Sequence, residues 1–160
     1  MSVKPRISSF LTFDAEAEAA AKFYTAIFPN SRIRSIARYG DGAPRPKGSV
    51  MTADFELDGI PFTALNAGPM FQPTGAVSFV VHCETQAEVD HYFDRLTADG
   101  GKPIECGWLT DRFGIFWQIT PNRLIEMMQD EDPVRVQRVF AAMLQMKKMD
   151  IAGLEAAYRG

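Results

Sequence analysis

The stretch Ser9-Phe10-Leu11-Thr12-Phe13-Asp14, followed by Ala17-Glu18-Ala19-Ala20-Ala21-Lys22-Phe23-Tyr24, is written twice in this chain. It returns as Ser78-Phe79-Val80-Val81-His82-Cys83 with Gln86-Ala87-Glu88-Val89-Asp90-His91-Tyr92-Phe93. A second echo sets Leu57-Asp58-Gly59-Ile60-Pro61-Phe62-Thr63-Ala64-Leu65 against Arg112-Phe113-Gly114-Ile115-Phe116-Trp117-Gln118-Ile119-Thr120. Read without a gap, the first echo aligns Ser9 with Ser78. An internal repeat fixes architecture before any local feature does, and two copies are too few for a solenoid. The expectation is one pseudo-symmetric domain with a ligand cavity between its sheets.

Working outward, Ile7 to Phe13 alternates and is rich in aromatic and β-branched residues, which predicts a strand. Asp14 offers an N-cap for a helix from about Ala15 to Phe28, ended by Pro29-Asn30. Ser31 to Tyr39 is a second strand, and the run from Gly40 to Gly48, with two prolines, is a turn-rich connection. Val50 to Leu57 and Ile60 to Asn66 form a hairpin about Asp58-Gly59, a two-residue turn signal. The linker spans 67–75. A strand over 76–82, a helix over 85–98 and strand-like pieces around 103–110 and 115–120 then repeat the order. Each half reads β-α-β-β-β, module one over 7–66 and module two over 76–121. The fold class is α+β: two tandem modules forming curved mixed sheets around a cavity, with added helices over 122–160. In that appendage Asp132-Pro133 opens a helix with the stripe Val136, Val139, Phe140, Met143 and Leu144. Ile151, Leu154 and Tyr158 mark another.

Composition narrows the function classes. The chain has 160 residues, 46% hydrophobic and 23% charged, with a net charge of −3, and no basic cluster suited to nucleic acid. No apolar run is long enough to span a membrane, and Met1 to Arg6 lacks the apolar core of a secretory signal. A cytoplasmic protein with its two cysteines, Cys83 and Cys106, reduced is therefore expected.

Three stretches carry a family resemblance. Phe10-Leu11-Thr12-Phe13-Asp14 with Phe23-Tyr24 and Phe28-Pro29 is the first. Cys106-Gly107-Trp108-Leu109-Thr110-Asp111-Arg112-Phe113-Gly114 with Trp117-Gln118-Ile119-Thr120-Pro121 is the second, and Met143 to Ile151 is the third. Together they resemble the PhnB-like branch of the vicinal oxygen chelate superfamily, also labelled 3-demethylubiquinone-9 3-methyltransferase-like. The superfamily includes glyoxalases, ring-cleaving dioxygenases and antibiotic-resistance proteins. The resemblance implies a divalent-metal site built from the first and last strands of both modules. The repeat places those positions at Ser9 and Ser78, and at Thr63 and Gln118, with Ser8 competing with Ser9 and Asn66 as an outer candidate. Hydroxyls and one amide are poor ligands for Zn²⁺, Ni²⁺ or Fe²⁺, so no metal and no other cofactor is expected.

The same side chains suit a small-molecule site: Ser9, Thr63, Ser78 and Gln118 as polar contacts, Phe10, Phe79 and Trp108 as apolar wall. Ser9 and Ser78 have a second reading, as small residues where strands pack closely. Trp117 faces opposite to Gln118, toward core or interface. The competing function is a glyoxalase-type lyase, isomerase or dioxygenase, in which Gln118 with Glu126 or Cys106 acts on an oxygenated substrate, with a weakly held divalent metal. Neither His82 nor His91 is patterned with Cys106. The methyltransferase label fails on its own terms, because the turn after the first strand, Asp14-Ala15-Glu16-Ala17, has no glycine for S-adenosylmethionine. The superfamily's habit of pairing implies a homodimer, with Met143, Met146 and Met149 packed as a helical stripe on the other subunit.

Overall fold

The computed structural model describes residues 5–160, so the leader reading of residues 1–4 lies outside the described residues. The chain divides into two compact units, residues 1–72 and 73–160. The first contains β1 (Ser9–Phe13), α1 (Ala17–Ile27), β2 (Arg32–Arg38), β3 (Val50–Leu57) and β4 (Ile60–Asn66). The second repeats the order with β5 (Phe79–Cys83), α2 (Gln86–Thr97), β6 (Lys102–Pro103), β7 (Trp108–Thr110) and β8 (Phe116–Pro121). It then adds α3 (Asn122–Met128), α4 (Pro133–Met143) and α5 (Ile151–Arg159). The sheet orders are β1-β4-β3-β2 and β5-β8-β7-β6. In each, the first and last strands run parallel and the other neighbours antiparallel. Two β-α-β-β-β modules in an α+β fold are thus present.

Burial follows from the alternation of each strand. On β3 and β4, Ala53, Phe55, Leu57, Phe62, Ala64 and Asn66 are buried, while the intervening residues are half-exposed. α1 packs on β3 and β4, with Tyr24 stacked on Phe55 and Phe55 on Phe62 at ring separations of 6.2 and 5.4 Å. Asp58 and Gly59 both take positive φ, 49° and 77°, so the hairpin turn is the kind its sequence calls for.

Three local outcomes differ from expectation. α1 begins at Ala17, two residues late, and Asp14 does not cap it. The cap comes from the tertiary structure: Asn66 Oδ1, at the end of β4, accepts from Ala17 N at 2.8 Å, while its Nδ2 donates to Val50 O. α3 was not foreseen, since its seven residues are too few to declare a period. Finally, the methionines do not form one helical stripe. α4 stops at Met143, and residues 146–149 form an irregular strap on their own unit. Cys106 N and Gly107 N donate to Met146 O and Lys147 O at 2.8 and 2.7 Å. Gln86 brackets the strap, donating to Met149 O and accepting from Ile151 N, and Met149 is fully buried. A Cβ on Gly107 would sit 2.7 Å from Ile119 O and 3.2 Å from Met149, so only glycine fits beneath the strap.

The second unit is pinned by Asp111, which is 2% exposed. Its Oδ1 accepts from Phe113 N and Ile115 N at 2.8 and 3.1 Å, and its Oδ2 from Trp117 Nε1 at 2.8 Å. The carboxylate therefore shapes the β7–β8 turn and fixes the core indole together. Asp111→Asn turns one acceptor into a donor facing another donor, and is expected to cost about 2–3 kcal/mol in urea unfolding. Trp117→Phe removes the opposing donor, so the asparagine penalty should shrink in that background. Asn66→Ala should cost about 1–2 kcal/mol by the same measurement, through the lost cap.

Candidate functional site

The face of each sheet turned away from α1 or α2 can be read strand by strand from the pairing. In the first unit Phe10, Thr63, Asp54 and Ser35 stand side by side across β1, β4, β3 and β2. In the second, Val80, Gln118 and Trp108 stand side by side across β5, β8 and β7. Phe10 and Val80 are 59% and 44% exposed, large apolar residues that neither helix covers.

The pairing also resets the repeat. Ser9 pairs with Phe62, as Phe79 pairs with Trp117, so the first strands are offset by 70 residues. The helices start at Ala17 and Gln86 and keep the offset of 69. Three residues join β1 to α1 where two join β5 to α2, and the extra one shifts the strand register. Ser8 is thus the counterpart of Ser78. Ser9 shares the helix side of its sheet with Leu11 and Phe13, and Phe79 does likewise, its ring 5.4 Å from Trp117. Thr63, Ser78, Gln118, Trp108 and Phe10 lie on the helix-free faces. Gln118 Nε2 donates to Ser78 Oγ at 2.8 Å, satisfying the amide on a strand where an orphaned one would be costly. Trp117 is core.

A groove of about 670 Å³ lies in the first unit, lined by Ser8, Arg34, Ser35, Asp54, Pro61 and Thr63 among others. Thr63 Oγ1 donates to Asp54 Oδ1 at 2.6 Å, and Ser35 Oγ to Asp54 Oδ2 at 3.1 Å. A bulge between Ile33 and Ser35 breaks the alternation of β2. Arg34 then joins Arg32 on Glu56, the Arg32 Nε to Oε2 distance being 3.1 Å. Sequence reasoning passed over Asp54, Ser35, Arg34 and Glu56. The signal was available: a two-residue hairpin closed by Leu57 and Ile60 pairs residues whose numbers sum to 117, which sets Asp54 beside Thr63.

The remaining candidates lie elsewhere. Cys106 is half-buried in a left-handed turn, φ 59°. Glu126 is on α3, exposed and 3.1 Å from Arg123. Cys83 is buried, and burial, with the nearby Glu88 carboxylate, pushes its thiol up to about 12. The donor set does not fit a divalent transition metal. Among the described residues no three His, Cys, Asp or Glu side chains converge, Glu56 is taken by arginines, and hydroxyls with one carboxylate are weak ligands.

Two β-α-β-β-β modules, each with a parallel first-to-last strand pair and a helix-free face, define the vicinal oxygen chelate fold. Residues 5–120 match the family described as 3-demethylubiquinone-9 3-methyltransferase, and the chain belongs to that PhnB-like family. A solved putative 3-demethylubiquinone-9 3-methyltransferase, a PhnB protein from Bacillus cereus, is 36% identical. The match covers 73% of this chain and 99% of that one, with a TM-score of 0.67. Protein PA1353 from Pseudomonas aeruginosa is 21% identical over 73% of this chain and 97% of its own, at 0.60. A fosfomycin resistance protein, FosX, from Listeria monocytogenes is 13% identical over 73% and 92%, at 0.50, a likeness of fold. No curated protein matches the chain. The helices α3 to α5 lie outside the family match. Among the described residues no helix is long and apolar enough to cross a membrane.

The two thiols should separate by reactivity. At pH 8 the native chain is expected to give one fast-reacting thiol toward a disulfide reagent, lost in Cys106→Ser, and a second only on unfolding. Because the folded Cys83 thiol holds its proton up to about 12 while an unfolded thiol releases it near 9, the unfolded state binds fewer protons above that lower value. Stability should therefore fall as pH rises from about 9 toward 12, and Cys83→Ala should lessen that slope in alkaline unfolding curves.

Proposed function

We propose that this chain binds a small organic molecule, the helix-free face of each sheet taken as a site by itself, with protein side chains rather than a transition metal supplying the polar contacts. The observation that carries the reading is the groove of the first unit, where polar side chains are already oriented by one another beside apolar residues. Sites for small molecules have this composition. The contacts proposed are Ser8, Ser35, Asp54 and Thr63, with Phe10 as wall, and in the second unit Ser78, Gln118 and Trp108. Ser9 and Phe79 leave the set, since their side chains share the helix side.

Methyl transfer from S-adenosylmethionine draws no support from the geometry. The turn from β1 to α1 has no glycine, the amide of Ala17 is already bonded to Asn66, and neither sheet is doubly wound. For the competing glyoxalase-type reaction, Cys106 sits in a left-handed turn and Glu126 is exposed on α3 and paired with Arg123. We take the working form as a homodimer of a cytoplasmic protein, the pairing supported by exposed Phe140 and Leu144, apolar residues away from both rows that a second copy would cover.

A thermal-shift screen of the full chain against metabolites, with and without Mn²⁺ or Ni²⁺, tests the proposal. Stabilisation of several degrees by an organic compound, equal in the presence of chelator and lost in Thr63→Tyr, is the expected result. Stabilisation or turnover that appears only with added metal would replace it with the enzymatic reading.

A further inference from the structure

Resting on the small-molecule reading above, we infer that the groove of the first unit selects a ligand bearing a primary ammonium group. The argument begins with the hydrogens. The hydroxyls of Thr63 and Ser35 both donate to Asp54, at 2.6 and 3.1 Å. A carboxylate accepts only, and a hydroxyl that has given its proton has lone pairs left to offer. Three neighbouring side chains, in adjacent positions on β4, β3 and β2, therefore show the groove acceptors and no donor. A ligand carboxylate or carbonyl finds nothing to accept from in this row. A neutral hydroxyl can use one acceptor, and an ammonium group can use three with its three N–H donors.

Charge leads to the same class. The groove holds two carboxylates, but Arg32 and Arg34 both bond Glu56. Asp54 has no cationic partner among the described residues, and its carboxylate oxygens are met by the two hydroxyls. The cation it lacks is one that a ligand can bring. Pro61, beside Thr63 on the same face, also lines the groove, which suits an aliphatic body behind the amine. An inorganic cation is poorly served, since calcium takes six to eight oxygens, generally with several carboxylates.

The experiment is a titration of the ¹⁵N-labelled full chain at neutral pH, followed through the amide signals of Ser35, Asp54 and Thr63. Four probes are used: n-butylamine hydrochloride, n-butanol, sodium butyrate and calcium chloride. Saturable shifts with butylamine are expected, with butanol weaker by about ten-fold or more and butyrate without effect. Asp54→Asn, nearly isosteric, should weaken butylamine by a similar factor. Thr63→Val, which keeps the carboxylate and removes one acceptor, should weaken it less. Equal affinity for butylamine and butanol, an unchanged affinity in Asp54→Asn, or saturation by calcium alone would overturn the assignment. If butanol or butyrate saturates the groove and butylamine does not, the ammonium assignment falls while the binding groove stands. If no probe moves these amides, the groove reading falls with it.

Discussion

One helix can cover only one face of a four-stranded sheet, and the rest of this structure follows from that constraint. α1 lies over β3 and β4 and draws Ala53, Phe55, Phe62 and Ala64 into a core. Strand alternation then forces every intervening residue to the opposite face. The same holds for α2 in the second unit. Two helix-free faces are the consequence, and their side chains need not pack against the module's own helix. They are therefore open to polar residues that a core would exclude. Phe10, Thr63, Asp54 and Ser35 form one such row, Val80, Gln118 and Trp108 the other.

The two rows are pseudo-equivalent in position and different in chemistry. In the second unit an amide and a hydroxyl satisfy one another, Gln118 donating to Ser78, and the neighbour across β7 is an indole. In the first unit two hydroxyls converge on a carboxylate. The difference rests on one strand: Asp54 of β3 stands beside Thr63 where Trp108 of β7 stands beside Gln118. Neither row carries the imidazoles and several carboxylates that hold a transition metal.

Long-range polar contacts hold these faces in place. Asn66 joins the end of β4 to the start of α1, so the last strand and the helix are fixed as one piece. Asp111 performs the comparable task in the second unit by joining a turn to the indole of Trp117. The strap at 146–149 ties the appendage back through Gln86 and the amides of Cys106 and Gly107. It turns the second-unit edge near Cys106 into packed structure. The thiol-bearing turn is thus a docking point for the chain's own C-terminal segment.

The fold was legible in the sequence because it depends on patterns that the chain repeats. Val50–Leu57 and Ile60–Asn66 were delimited by Asp58-Gly59, a turn that allows only a short hairpin. The helices α1, α4 and α5 declared themselves by apolar spacing, and Thr85 and Asp132 cap α2 and α4 as their sequences suggest. Strand facing was not legible to one residue. The repeat was anchored on its helices, and a single extra residue between β1 and α1 turns Ser9 to the helix side and gives its place to Ser8. Such a slip is invisible in sequence but inverts every side chain of a strand. Asp54 carries no motif as a lone strand aspartate: the hairpin register sets it beside Thr63, but only the pairing of β2 with β3 brings Ser35 to its other side. Sequence by itself determined which segments fold and in what order. Tertiary structure alone decided which face each residue shows and which polar groups meet, because those depend on contacts between segments distant in the chain.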